Sequence, residues 1–318
     1  MQIQLTSPII GFFRWRFFIL TKMLKITDFV VSPQRHLGLN FDSGQDNLIE
    51  QTPDTPQSFR VVNNVPVFLD RSLNSDKHEG FDYAEHYEVD AVEFDYFGEY
   101  EDEATQDENR RLHEAILKET PQSAARILDV GCGGGWVAKS LLPLKRKVVS
   151  FDIALSNCIK ILARHPSPNH FAVNGDVLNL PFKEAFFDVV ISAEVIEHVT
   201  DTKAYIDNLL RVTKPGGKII ISTPYNEKRQ HSLCIHCNRM TPHNAHIHSF
   251  KENSLDDILA SHQEAQLKTR TLSNKALLFL RGYRLLQHLP HGLWTFVDNL
   301  ANRVVPKPFR LIYIITKA

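Results

Sequence analysis

Between residues 126 and 224 the chain alternates five apolar, β-rich runs with amphipathic stretches, and this alternation limits its possible folds more than any other feature. The runs are "RILDVG" (126–131), "KVVSFDI" (147–153), "HFAVNGD" (170–176), "FDVVISAE" (187–194) and "GKIIISTP" (217–224). Each is nearly continuous in apolar residues, as strands covered on both faces must be. Segments such as "WVAKSLLPL", "LSNCIKILARH" and "DTKAYIDNLLRVTK" lie between them and are helical or mixed. Strands joined through helices take right-handed crossovers and run parallel, so the pattern predicts an α/β fold with a doubly wound, mostly parallel sheet. "LKTRTLS" (267–273) and "FRLIYIITKA" (309–318) are predicted to pair with each other and bring the sheet to seven strands. The residues between them, 279–305, form a helical insertion whose apolar face is read as core by default, with a lid as the other reading.

The first run opens into a loop with Gly131, Gly133, Gly134 and Gly135 inside five positions. A helix entered from a strand through glycines offers free backbone N–H groups to an anionic group. A dinucleotide fingerprint needs its third glycine at position 136, which is Trp136, and no Gly-Lys-Ser/Thr step follows for a phosphate loop. The spacing that fits is D-x-G-x-G-x-G, with Asp129, Gly131, Gly133 and Gly135. Glycines there let backbone touch a ligand where a Cβ would intrude, and Asp129 at the strand end can receive an ammonium group.

"ILDVGCGGG" closely resembles motif one of the class I S-adenosylmethionine-dependent methyltransferases, of the small-molecule, type 11/12-like kind. "FDVVISAEVIEHV" resembles the family's fourth motif and "LLRVTKPGGKIIISTP" its fifth, so the matches run in order over residues 126–224. The resemblance implies a Rossmann-like methyltransferase domain over 103–318 that binds S-adenosyl-L-methionine. It assigns Asp152, 17 residues beyond Gly135, to the ribose hydroxyls. Asp176 is assigned to the adenine amino group, the Val177 backbone N–H to a ring nitrogen, and Glu194 to His198 to the surroundings of the donor. Asp152 or Asp176 alone would read as a helix cap or turn residue; in series they read as functional.

Methyl transfer from a sulfonium is an in-line displacement, so the protein positions the acceptor and removes its proton where there is one to remove. His198 is the first candidate base, with packing under the neighbouring helix as the alternative. The acceptor is expected to be small and polar, methylated on O or N. Tyr96, Tyr100, Tyr225, Asn226 and His248 are expected to contact it. The loop 234–250, "CIHCNRMTPHNAHIHSF", holds enough soft and borderline ligands for structural zinc on Cys234, Cys237, His246 and His248. A metal-free substrate loop is the other reading. Two competing functions are a non-catalytic scaffold that keeps the donor pocket and a nucleic-acid methyltransferase.

From Asp82 to Glu108 there are twelve carboxylates and no Lys or Arg, interleaved with aromatic residues. The aromatic content predicts an ordered flap over 81–102 that leads into a helix, able to cover a cationic or polar ligand and hostile to phosphates. With 36 Lys plus Arg against 37 Asp plus Glu, the chain has no global attraction to nucleic acid. Four cysteines are too few for a disulfide framework, which points to a cytoplasmic protein. "PIIGFFRWRFFIL" (8–20) is too short and too basic for a membrane span. It reads as an extension before Met23 (residues 1–22), with peripheral membrane contact as the alternative. Residues 23–80 read as a small irregular subdomain. Its "NVPVF" strand resembles that of a zinc-ribbon module found before some methyltransferase domains, here without the ligand cysteines. Oligomeric state is not encoded in any feature of the chain.

Overall fold

The computed structural model describes residues 22–23, 25–69, 82–98, 102–235 and 238–318. The segment 8–20, Tyr100 and Cys237 lie outside the described residues. The chain opens with a small antiparallel sheet, β1 (Leu39–Asp42), β2 (Asn47–Glu50), β3 (Ser58–Val62) and β4 (Val65–Pro66). The β3–β4 turn is two residues long, and Asn63 and Asn64 both take positive φ, 49° and 66°, as a primed hairpin turn requires. Where composition predicts an irregular subdomain, these residues are therefore ordered strands, each too short to show a clear period in sequence. They also complete the main core: Met23, Ile26, Phe29 and Leu48 are fully buried against Phe171, Phe182 and Phe187.

Two helices follow, α1 (Tyr83–Glu93) and α2 (Glu103–Glu119), capped by Asp82 and Asp102 through the N–H groups of Glu85 and Thr105. The acidic, aromatic run thus has a helix of its own. Beyond it lie β5 (Arg126–Val130), α3 (Trp136–Leu141), β6 (Lys147–Asp152), α4 (Leu155–Arg164), β7 (His170–Asn174), β8 (Phe187–Ala193), α5 (Thr202–Val212) and β9 (Thr213–Pro224). A short hairpin, β10 (His231–Leu233) and β11 (Met240–Pro242), and a one-turn α6 (Asp256–Leu259) precede β12 (Ala265–Asn274). Between β12 and the last strand, β13 (Pro308–Lys317), come α7 (Lys275–Phe279) and, within the insertion, α8 (Tyr283–Leu286) and α9 (His291–Val304).

The fold is a doubly wound, seven-stranded sheet in the order β12-β13-β9-β8-β5-β6-β7. The strands from β7 to β9 are parallel, and β13 runs antiparallel to both β9 and β12. Central strands show the two-sided burial that their continuous apolar runs imply. Leu128, Val130, Val149 and Val190 face one layer with α5, and Ile127, Val148, Val189 and Ile191 face the other with α2, α3 and α4. Each such aliphatic side chain contributes about 1.5–3 kcal/mol on burial.

The insertion departs from the core expectation for its apolar face. Only Trp294 and Asp298 of α9 are buried, whereas Leu293, Phe296, Leu300 and Val304 are exposed. Arg111 fastens it to α2 by donating to the carbonyl oxygens of Leu286, Gln287 and Leu289. Among the described residues no helix is long and apolar enough to cross a membrane.

His170 shows how the core responds to acid. It is fully buried, with Nδ1 donating to His165 O at 2.7 Å and Nε2 paired with Ser150 Oγ at 3.0 Å. Burial lowers its pKa to about 4, so the folded state keeps the ring neutral while the unfolded chain protonates it near pH 6.5. Its contribution to stability is full above about pH 6.5 and is lost as pH falls toward 4, at about 1.4 kcal/mol per pH unit for the one proton. Denaturant unfolding at pH 7 and pH 5 should show His170→Gln losing less stability on acidification than the wild type; equal losses would contradict the assignment.

Candidate functional site

After β5 the chain winds outward to β6 and β7, then returns to β8 and β9 on the other side. This leaves a crevice at the carboxyl ends of the central strands. The structure has a cleft there with an empty volume of about 900 Å³ including its mouth. Its floor is the glycine loop. The N–H groups of Gly131 and Cys132 donate to Phe151 O at 2.8 and 3.1 Å, and that of Gly133 donates to Asp152 Oδ2 at 3.1 Å. Gly131 takes φ 71°, and a Cβ on it would lie 2.4 Å from Val195 Cγ2. Backbone therefore comes to the cleft surface where any larger residue would clash.

Asp152, at the end of β6, lines the cleft and accepts a second bond from Ala154 N at 2.9 Å. Burial pushes its carboxyl up, against the hydrogen bonds that hold it down. Asp129 lies deeper, 2% exposed, and it and Gly135 stand behind the cleft wall rather than on it. Burial, and secondarily the Asp152 charge, raise the Asp129 carboxyl well above its usual range. Asp176 caps the 3-10 turn Val177–Asn179 through Leu178 N at 2.9 Å, and its other oxygen accepts the Tyr83 hydroxyl. Val177 stands beside it on the wall.

The outer wall is α1. Helix α4 has no side-chain cap of its own, and Glu88 of α1 supplies one: its carboxylate accepts from Leu155 N at 2.7 Å, from Ser156 N at 3.2 Å and from the Ser156 hydroxyl. Lys160 of α4 donates back to Ala91 O at 2.6 Å. So docked, α1 and the turn after it bring Tyr83, Tyr87, Asp90 and Tyr96 to the cleft. Gly134 makes this approach possible, since a Cβ there would lie 2.0 Å from Tyr96 O.

The inner wall follows β8. Glu194 takes φ 57°, accepts from Ser222 Oγ at 2.9 Å and pairs with Arg310, which also donates to Glu108 at 2.9 Å. His198 lies at the end of the 3-10 turn Ile196–His198, edge-on to the Tyr87 ring. Its Nδ1 donates to Ala245 O at 3.2 Å. Burial, with the nearby His246, lowers its pKa to about 4, so the ring is neutral at pH 7. Among the described residues, the cleft wall carries Asp90, Asp152, Asp176 and Glu194 and no Lys or Arg. Buried polar atoms without a hydrogen-bond partner cluster around it: Asp129 Oδ2, Asn157 Oδ1 and the Tyr87 hydroxyl. Such a site suits a polar ligand that carries positive charge and donates hydrogen bonds.

Of the expected site residues, Tyr96, Gly131, Gly133, Asp152, Asp176, Val177, Glu194 and His198 meet at this cleft. Tyr225, Asn226 and His248 do not line it. Tyr225 is bonded to Phe309 O beyond β9, Asn226 is exposed, and His248 donates its backbone N–H to Glu197 O behind the 196–198 turn. Cys237 of the expected zinc set lies outside the described residues, and the described side chains that gather at metal-ligating distance are Glu197, His198 and His246. Sequence reasoning missed Tyr83, Tyr87 and Asn157 as wall residues. The four-residue spacing of Tyr83 and Tyr87 places them on one helical face, a signal available once the run 83–93 is taken as helix.

Residues 128–221 match the family model described as "Methyltransferase domain". A protein of Mycolicibacterium smegmatis named "Probable S-adenosylmethionine-dependent methyltransferase" is 31% identical over 116 residues, 36% of this chain and 44% of that protein. A "Ubiquinone biosynthesis O-methyltransferase" of Rickettsia akari is 36% identical over 115 residues, 36% of this chain and 45% of the relative. The chain thus spans about half the length, or slightly less, of the curated relatives it matches. Among solved structures, the [4+2]-cyclase SpnF is similar in fold, with a TM-score of 0.50 and 15% identity over 74% of this chain and 94% of that one.

The contact at Gly134 is directly testable. Gly134→Ala should lift the Tyr96 turn off the loop and speed proteolytic cleavage within 94–98 by at least about tenfold, while the thermal unfolding midpoint of the sheet domain changes little. Unchanged cleavage would show that the turn does not depend on this contact.

Proposed function

We propose that this chain, whose residues 128–221 form a class I S-adenosylmethionine-dependent methyltransferase domain, transfers the donor's methyl group to an oxygen or nitrogen of a small polar acceptor. Oxygen is the favoured atom, because several relatives are named O-methyltransferases of ubiquinone biosynthesis. The observation that carries the reading is the charge of the cleft: four carboxylates and, among the described residues, no cation. S-adenosylmethionine brings a sulfonium and an ammonium and no phosphate, so its charge matches the wall, whereas the pyrophosphate of a dinucleotide or the backbone of a nucleic acid would be repelled.

When bound, S-adenosylmethionine supplies an electrophilic methyl group on a positively charged sulfur. We assign its ribose hydroxyls to the Asp152 carboxylate and its adenine to Asp176 and the Val177 N–H. The backbone at Gly131 and Gly133 receives the methionine end, with the Asp129 carboxylate behind it. The negative wall favours the sulfonium before reaction and so aids binding more than turnover. Catalysis must come from alignment of the acceptor, which Tyr87, Tyr96 and Glu194 would orient, and from removal of its proton. His198 is suited to that removal by its neutral ring, whose Nδ1 proton is committed to Ala245 O and leaves Nε2 as an acceptor. The acceptor atom bonds to the methyl carbon as the C–S bond breaks, and the electron pair stays on sulfur.

Calorimetry tests the reading. The wild type should bind S-adenosylmethionine and S-adenosylhomocysteine but not NADH. Asp152→Asn should weaken both nucleosides by about 10- to 100-fold, the loss of about 1.5–3 kcal/mol expected when charge-assisted bonds go. Undiminished affinity in Asp152→Asn would overturn the ribose assignment, and preference for NADH would overturn the function.

A further inference from the structure

Two exposed faces of the molecule are apolar, and they carry opposite charge. The first is the insertion. Leu293, Phe296, Leu300 and Val304 recur along one side of α9, and the turns before it add Phe279, Leu280 and Leu285. Each of these seven side chains is at least half exposed. A chain that works alone rarely leaves so much apolar surface in water. The charges around them are all positive: Lys275, Arg281, Arg284, Arg303 and Lys307 are exposed. The single carboxylate between Lys275 and Lys307 is Asp298, which is buried and accepts from Ser273 N and Asn274 N at 3.0 and 2.8 Å. Arg303 follows Phe296 by seven residues and Leu300 by three, so it rises from the apolar stripe itself.

The second face is the outer side of α1. The inner side of this helix brings Tyr83 and Tyr87 to the cleft and sets Glu88 on the start of α4. On the outer side Val89 and Val92 are 56% and 61% exposed, and Phe94, just past the helix end, is 64% exposed. Glu85 and Glu93 stand four residues to either side of Val89 and share its face, and Asp95 follows Phe94; all three carboxylates are exposed. Residues 82–98 contain no Lys or Arg, and Lys160, which reaches α1 from α4, is held by Ala91 O.

A negatively charged lipid surface would attract the insertion and leave α1 bare. A basic partner would do the reverse. One occupant answers both faces, namely another copy of the chain, whose carboxylates meet the cations while its Val89, Val92 and Phe94 cover the apolar stripe. A twofold axis makes this contact twice, which helps reach the roughly 800 Å² per partner that a specific interface needs and leaves neither face open to further copies.

We propose that the chain pairs as a twofold dimer in which α1 of each copy lies against the insertion of the other. Because the inner side of α1 is the outer wall of the cleft, this contact holds Tyr83 and Tyr87 in place from behind.

Sedimentation velocity on the full-length protein across the micromolar range tests the pairing. The wild type should run at twice the chain mass. Glu85→Lys with Glu93→Lys should weaken dimerisation by at least about 100-fold, and so should Arg284→Glu with Arg303→Glu, since each pair sets like charges face to face. All four substitutions in one chain restore opposite charges and should bring the affinity back to within about tenfold of the wild type. The four side chains are exposed, so the fold tolerates the changes. A wild type that stays monomeric or associates beyond two copies would overturn the proposal, as would dimerisation indifferent to either pair or a combined variant that fails to recover. Flotation of a monomeric wild type with phosphatidylserine vesicles would assign the insertion to a lipid surface instead.

Discussion

The structure depends on how the glycine loop is tied to the end of β6. Phe151 O and the Asp152 carboxylate take three successive N–H groups of the loop, from Gly131, Cys132 and Gly133. That tie lets the chain leave β5, turn within a few residues and enter α3 without filling the crevice. It also brings an acid and bare backbone to the same surface. The arrangement requires positive φ at Gly131, Gly133 and Gly135, which a chain of ordinary residues would adopt only under strain.

From this tie follow the charge and shape of the cleft. Asp152 cannot retreat from it, because its oxygens are held by Gly133 N and Ala154 N, and Asp176 is fixed one strand away by the turn it caps. Helix α1 closes the outer side by lending Glu88 to the uncapped start of α4. One carboxylate thus satisfies a helix end and anchors a wall, so the acidic run is architectural as well as electrostatic. The fold alone does not name the reaction, as the similarity to a cyclase illustrates. The chemistry must be argued from the site.

Much of this was legible in the sequence, and the limits have physical causes. Strands buried on both faces leave long apolar runs, so all seven strands of the main sheet could be found. Asp152 and Asp176 stood out because they end strands at regular intervals. Other features depend on contacts between distant segments, which no local pattern carries. Glu88 capping α4, Met23 and Phe29 filling the core, and Gly134 making room for Tyr96 belong to this class. Asp129 was identified as a motif residue, but its depth behind the loop was not, since burial depends on layers packed over it. In the Cys/His loop, residue types suggested a tetrahedral set within one segment; among the described residues the structure gathers His246 with Glu197 and His198, some fifty residues earlier in the chain.

The most direct measurement is a crystal structure of the protein grown with S-adenosylhomocysteine. The account predicts the nucleoside in the crevice, its ribose on the Asp152 carboxylate and its amino-acid end along Gly131 and Gly133. Nucleoside density elsewhere on the molecule, or a ribose held without Asp152, would contradict it.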